Sequence, residues 1–262
     1  MGEPLLYLHG FPTSSFDLRP ALPFLAGKRR VVTHDHPGFG LSEKPADYSY
    51  SLVEQAEVAL AVWGALGVTR GHLVAHDYGT SVATELCARA VRGPLPFRIS
   101  SVTFCNGSMM LELAKLRVTQ RLLRSRVVGP WFARRATYRM FRLQMRRIFA
   151  KPDAVSEREL ELHWWLITNG GGRDRMHQLS SYLDERVRFR QRWIGSLRSL
   201  ASAGVPVHVV WGRKDPIAVP EIARRVAGEA GVEVVWLDGL GHYPMLEDPA
   251  AWAAAIDAAI GG

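Results

Sequence analysis

The sequence predicts an α/β fold, a doubly wound and mostly parallel sheet with a helical cap inserted into it. Three observations carry that prediction. Apolar runs at 5–8, 31–33, 72–75, 99–104, 206–211 and 232–237 read as strands buried on both faces. Helical patterns separate them at 50–66, 80–92, 219–229 and 248–260, supplying the crossovers that parallel strands require. Between Asn106 and Gly204 the strand pattern stops and helical periodicity takes over. The division that follows is a core of residues 1–108 and 204–262 with a cap of residues 109–203.

Each element has a local reason. The first strand, Leu5-Leu6-Tyr7-Leu8, runs into a His9-Gly10-Phe11-Pro12 turn, where the Phe11 N–H is set free to face a ligand. The strand at 31–33 leads to His34-Asp35-His36, which resembles a metal cluster in composition only, because it opens a glycine-rich loop ending at Gly40. The strand at 72–75 enters Ala75-His76-Asp77-Tyr78-Gly79, and helix-forming residues follow at once. This small–x–Asp–x–Gly pattern is a tight strand-to-helix elbow that pushes Asp77 into the open beside backbone N–H groups. Asp at a strand end is often no more than a helix N-cap. Here two partners occur further on: Asp215 after the strand at 206–211, and His242 in the Gly241-His242-Tyr243 loop. The order nucleophile, acid, histidine distinguishes the elbow from a simple cap.

In the cap, Ser156-Glu157-Arg158-Glu159 is a capping box that opens one helix, and Asn169-Gly170 closes it. Residues 174–200 are expected to form one further helix, with Met176, Leu179, Leu183, Val187, Ile194 and Leu197 on its apolar stripe. Another face combines Trp131, Tyr138, Phe141, Met145 and Ile148, with Arg135, Arg139, Arg142 and Arg146 at helical spacing beside it.

Composition sets bounds. At 262 residues and 47% hydrophobic content, the chain can bury one large core plus a lid. No stretch approaches a membrane span. The chain opens directly into a strand, so no signal peptide is expected. Cys87 and Cys105 fall on a helix and a strand and read as core residues, which fits a cytoplasmic protein. The net charge of +8 is uneven: residues 113–152 hold twelve Lys or Arg and no acid, leaving 21 basic against 25 acidic residues elsewhere. A solvated helix face explains this segment; weak attraction to an anionic membrane surface is the alternative. No recognition motif points to nucleic acid.

The stretches His9–Ser15, His76–Gly79, Asn169–Gly171, Arg188–Trp193 and His242–Pro249 resemble the α/β-hydrolase superfamily. Within it they fall on the epoxide hydrolase and haloalkane dehalogenase branch, closest to the mesoderm-specific transcript-like hydrolases and their bacterial relatives. The resemblance spans nearly the whole chain. It implies that Asp77 attacks carbon to form an alkyl-enzyme ester, and that His242, oriented by Asp215, activates the water that breaks it. Phe11 and Tyr78 N–H groups would form the oxyanion hole. Tyr182 matches the more C-terminal of the two lid tyrosines that serve family epoxide hydrolases as ring-opening acids. The other has no clear counterpart, and Tyr138 is the nearest substitute. Family dehalogenases place a Trp after the nucleophile, where this chain has Tyr78; a lid Trp, Trp164 or Trp165, would have to replace it.

The expected reaction is opening of a small apolar epoxide without cofactor or metal, with dehalogenation of a haloalkane, or non-catalytic binding on the same fold, as alternatives. Asn106, Tyr138, Trp165 and Met245 are the expected pocket residues. Relatives have two strands before the His-Gly turn, so the first hairpin is missing here and the strand at 31–33 should be a sheet edge. That favours a start codon upstream of Met1, the other reading being a partner subunit over the edge; the oligomeric state is open.

Overall fold

A computed structural model describes residues 2–261; Met1, on which the expectation of an upstream start bears, lies outside them. Six strands form one sheet in the order β2-β1-β3-β4-β5-β6, and every neighbouring pair is parallel. They are β1 (Gly2–Leu8), β2 (Arg29–Thr33), β3 (Arg70–His76), β4 (Arg98–Cys105), β5 (Val207–Gly212) and β6 (Val234–Leu237). As expected, β2 is an edge. The central strands bury Leu, Val and aromatic side chains because helices cover both faces. One layer comprises α2 (Leu52–Ala65), α3 (Tyr78–Arg92), α10 (Arg190–Ser202) and α11 (Pro220–Ala230); the other comprises α1 (Leu22–Leu25) and α13 (Pro249–Ala259).

Between β4 and β5 lie α4 (Val118–Arg124), α5 (Gly129–Arg134), α6 (Tyr138–Ile148), α7 (Glu157–Thr168), α8 (Gly172–Leu179) and α9 (Tyr182–Arg188), followed by α10. The single helix expected over 174–200 is three helices, α8 to α10. Its stripe is real, but the chain bends at Ser180-Ser181 and at Phe189, so Leu183 and Leu197 are buried from separate helices while Val187 is exposed. α10 packs on α3: buried Glu85 accepts the Trp193 Nε1–H at 2.7 Å and pairs with Arg89 and Arg192. The last helix of the insertion therefore belongs to the core layer.

The expected face from Trp131 to Ile148 is likewise two helices, because Thr137 caps α6 by accepting the Met140 N–H. Phe141, Met145 and Ile148 are buried, whereas Trp131 is 57% exposed and stacks under Arg135. Ser156 caps α7 as predicted, accepting the Glu159 N–H at 3.1 Å. Glu159 does not complete the box; its carboxylate pairs with Arg19 of the core.

Strand register gathers the site. Leu8 lies opposite Ala75, and His76 opposite Cys105, so the residues that follow β1, β3 and β4 emerge side by side at the carboxyl edge of the sheet. Gly79 is required there: a Cβ would sit 2.2 Å from the Leu8 carbonyl oxygen.

Candidate active site

Asp77 is the residue between β3 and α3, with φ 41° and ψ −105°, a backbone that side-chain-bearing residues rarely adopt. Such strain costs on the order of 1–3 kcal/mol and persists where surroundings over-determine it. The surroundings are visible. Thr80 Oγ1 and the Arg186 guanidinium both donate to the Asp77 carbonyl, the latter at 2.9 Å, and the Gly79 N–H is tied to His9 O at 2.9 Å. The carboxylate itself accepts the Phe11 N–H at 3.2 Å on Oδ2.

The turn that aims this N–H is held by histidine. His9 Nε2 accepts the His36 N–H at 3.0 Å, so His9 carries its proton on Nδ1 and donates to Gly10 O at 2.9 Å. Burial holds His9 and His36 below the ordinary imidazole range, which keeps both rings neutral. Asp35, between the two other histidines of its motif, accepts the N–H groups of Ser15 and Leu41 at 2.8 and 2.7 Å. Its carboxylate braces loops.

Asp215 and His242 meet as expected, with His242 Nδ1 2.7 Å from Asp215 Oδ2. The other Asp215 oxygen accepts the Ile217 and Ala218 N–H groups at 2.8 and 2.9 Å. Burial disfavours charge on His242, yet the Asp215 carboxylate beside it, helped by Asp77, lifts its affinity for a proton above the usual imidazole value. The His242 loop is pinned from three sides. His76 Nε2 lies 2.8 Å from His242 O, the His242 N–H reaches Ile148 O at 3.0 Å, and Glu247 accepts the Gly241 N–H. Burial pushes His76 down to about 3, so it remains a neutral donor to that carbonyl.

Asp77 and His242 open into one cavity of about 110 Å³, walled mainly by Phe11, Leu123, Phe132, Met140, Phe141 and Trp164. Its polar lining is confined to the cap residues Arg117, Thr119, Gln120, Thr137 and Gln144, apart from Asp77, His242 and Tyr243. The Tyr243 hydroxyl is spent on Phe11 O at 3.1 Å.

Four expected pocket residues stand elsewhere. Asn106 is fully buried beside the acid: its Nδ2 donates to Asp215 Oδ2 at 2.8 Å and to Gly241 O, and its Oδ1 accepts the Gly212 N–H. Tyr138 turns outward to the Glu157 carboxylate, because it begins α6 and its ring falls on the rim. Trp165 is 55% exposed, and its neighbour Trp164 lines the cavity instead. A Trp-Trp pair leaves helix phase ambiguous by one residue, which is enough to exchange the two. Met245 is completely buried within α12 (Pro244–Glu247) and forms no part of the wall.

Tyr182 is buried to 1% exposure, its ring packed against Phe11 and Tyr78 at centroid distances of 5.5 and 5.2 Å. Its hydroxyl is buried and has no hydrogen-bond partner among the described residues. Arg186 is the residue that sequence reasoning missed. It is 1% exposed, lies under the Tyr182 ring, donates to Ser81 and Ser108, and stands 3.6 Å from Asp77 Oδ1. An arginine one turn after Tyr182 is the only sequence signal for it, and surface arginine is the default reading.

An elbow carboxylate held by a backbone N–H, with a His–Asp pair sharing its cavity, defines a hydrolase-type site on an α/β sheet. The family comparison agrees: the alpha/beta hydrolase fold model matches residues 3–249, and the chain belongs to that family. It is 43% identical over 257 residues to the putative hydrolase LipZ of Mycobacterium tuberculosis, covering 96% of this chain and 86% of that one. It is 34% identical over 256 residues to the mesoderm-specific transcript protein of Mus musculus, covering 94% and 75%. Two solved structures share the fold. The epoxide hydrolase CorEH superposes with TM-score 0.76 at 18% identity, covering 98% of this chain and 91% of that one. The haloalkane dehalogenase DbeA of Bradyrhizobium elkani does so with TM-score 0.77 at 25% identity, covering 98% and 92%.

Proposed function

We propose that this hydrolase opens a small apolar epoxide through an ester on Asp77. The observation that carries the reading is a carboxylate, rather than a hydroxyl or thiol, at the elbow, with one oxygen on the Phe11 N–H and His242 on the same cavity. A carboxylate is suited to displacement at saturated carbon, and the ester it forms must then be hydrolysed. Asp77 attacks the less hindered ring carbon while Tyr182 protonates the departing oxygen. His242, oriented by Asp215, then takes a proton from water as that water attacks the ester carbonyl. Phe11 and Tyr78 N–H groups hold the oxyanion that develops. The apolar walls favour an apolar substrate, and no step calls for a cofactor or metal.

A dehalogenase is the second reading, favoured by Trp164, whose indole lines the cavity and offers a donor to a departing halide. Non-catalytic binding is the third. Oxygen labelling separates them. With enzyme in excess over an epoxide in ¹⁸O-water, the first turnover should give unlabelled diol, because its new oxygen comes from Asp77. Labelled diol in that turnover would refute the ester, and absence of any diol would remove the epoxide reading.

The basic segment 113–152 belongs to the same proposal. Arg124 and Arg134 pair with Asp184 and Asp174, Arg142 and Arg146 share Glu157, and Lys151 pairs with Asp248. The segment also exposes Val118, Val127 and Trp131, and basic charge with exposed apolar side chains favours weak contact with an anionic bilayer. Among the described residues no helix is long and apolar enough to cross a membrane.

A further inference from the structure

The proposed ring opening has one tyrosine where relatives of this kind use two, and Tyr138 does not supply the second, because its hydroxyl is engaged by Glu157 at the rim. Tyr243 does not either, its hydroxyl being committed to Phe11 O. We infer that the Gln120 carboxamide is the second donor: its Nε2–H and the Tyr182 hydroxyl converge on one place, where they would hold the epoxide oxygen between them. This rests on the epoxide reading above.

Gln120 stands on the cavity wall together with Asp77 and His242. Its orientation is fixed by its own helix. The Arg117 N–H donates to Gln120 Oε1 at 2.9 Å, forming the capping contact that starts α4. With Oε1 engaged by that backbone group, Nε2 is the end left over, and it donates to no protein acceptor among the described residues. The Tyr182 hydroxyl is buried and equally without a hydrogen-bond partner. A buried hydroxyl left unpaired costs on the order of 1–3 kcal/mol, and a ligand oxygen would recover it. The two side chains lie close enough for the amide to act on the phenol. Burial pushes the phenol far up and the Asp77 carboxylate adds to this, while Arg186 and the Gln120 amide pull it back. One acceptor atom placed between the two donors would take a hydrogen bond from each.

The chemistry balances. An Asp77 oxygen forms a bond to the ring carbon, and the carbon–oxygen bond of the epoxide breaks, its electron pair staying on oxygen. That oxygen takes the phenolic proton of Tyr182 and keeps a hydrogen bond from Gln120. The phenolate left behind is stabilised by the Arg186 guanidinium stacked on its ring, 4.4 Å from the centroid. In the second step water attacks the Asp77 ester carbon. One of its protons reaches the departing product oxygen through His242; the other restores Tyr182.

The variant that separates catalysis from folding is Gln120→Glu. It keeps Oε1 for the Arg117 N–H and replaces only the donating end. The experiment measures ester formation from a terminal aryl epoxide by rapid quench and intact mass, in the His242→Gln background, where the ester should persist. Gln120→Glu should slow ester formation at pH 8 by roughly tenfold to a hundredfold. The deficit should shrink as pH falls toward about 5, because a protonated glutamic acid donates again. Gln120→Met should show the same deficit without recovery. The charged and titratable groups around position 120, namely Arg117, Tyr182, Arg186 and Asp77, are common to both variants, so their ratio isolates the donor. Equal rates with Gln and Glu at pH 8, or a deficit with Glu that ignores pH, would overturn the assignment of Gln120 while leaving the ester intact. Absence of adduct in the His242→Gln parent would instead bring down the epoxide reading, and this inference with it.

Discussion

Arg186 of the cap and Asp77 of the elbow form a buried ion pair, 3.6 Å apart at Nη2 and Oδ1, with the same guanidinium donating at 2.9 Å to the Asp77 carbonyl. Among the described residues no other carboxylate lies within salt-bridge distance of Arg186. One side chain thereby joins the lid to the Asp77 carboxylate and to the strained backbone that presents it. Breaking such a pair from one side leaves an uncompensated buried charge and typically costs about 3–5 kcal/mol. Arg186→Met should lower the melting temperature markedly and remove turnover. Arg186→Lys should not restore it, because an ammonium cannot reach Ser81, Ser108 and Asp77 O together. Calorimetry with a turnover assay checks both, and a Met variant of unchanged stability would refute the pairing.

Asn106 acts through Asp215. Asn106→Leu removes a hydrogen bond from the carboxylate that orients His242 and frees the Gly241 carbonyl. Ester hydrolysis should slow on the order of a hundredfold, as misplaced catalytic groups do, with ester formation nearly unchanged. Quench kinetics resolve the two steps; slowing confined to ester formation would show that Asn106 serves elsewhere.

His242 gives the pH dependence a sign. Opposing its burial, the Asp215 and Asp77 carboxylates raise its proton affinity, yet it must be neutral to activate water. Ester formation removes the Asp77 charge and so relieves part of that rise. The hydrolysis step should therefore accelerate with rising pH and level off at a lower pH than the titration of His242 in the free protein. Single-turnover rates compared with an NMR titration of the imidazole test this. Levelling at a higher pH would contradict it.

Buried neutral histidines make the fold acid-sensitive. Burial lowers His34 and His163 to about 4 and His76 to about 3, and it also lowers His9 and His36. In the unfolded chain they take up protons near pH 6.5, while the folded protein resists until lower pH. Their contribution is present above about pH 6.5 and is lost as pH falls toward 4 and below. Urea midpoints should drop through that window. A flat profile between pH 6.5 and 4 would show that these rings are not held neutral.

Vesicle sedimentation tests the cap surface. Binding to vesicles with about 30% anionic lipid at low salt, but not to neutral ones, is expected, with loss as ionic strength approaches 0.15 M. Arg121→Glu together with Arg126→Glu should weaken it. No binding to anionic vesicles at low salt would return the segment to a solvated face.

The strands and the elbow were legible because parallel strands bury both faces and the tight turn demands Gly79. The acid and histidine were legible because their loops follow strands in a fixed order. The pocket was not. Asn106 shows why: an amide at a strand end gives no hint whether it meets ligand or carboxylate. Tyr138 was misjudged because the break at Thr137 makes it the first residue of α6, and Trp165 because two adjacent tryptophans in α7 leave helix phase ambiguous by one residue. Arg186 was hidden because its burial depends on three distant hydroxyl and carbonyl groups, which no periodicity records.

The central claim is an ester on Asp77, and intact mass of the His242→Gln protein tests it most directly. After exposure to a panel of apolar epoxides and bromoalkanes, the account predicts an adduct equal to a whole epoxide, absent when Asp77 is replaced by Ala. An adduct equal to an alkyl group without its halide, with none from epoxides, would move the protein to the dehalogenases. Folded protein with no adduct from either set would contradict the account.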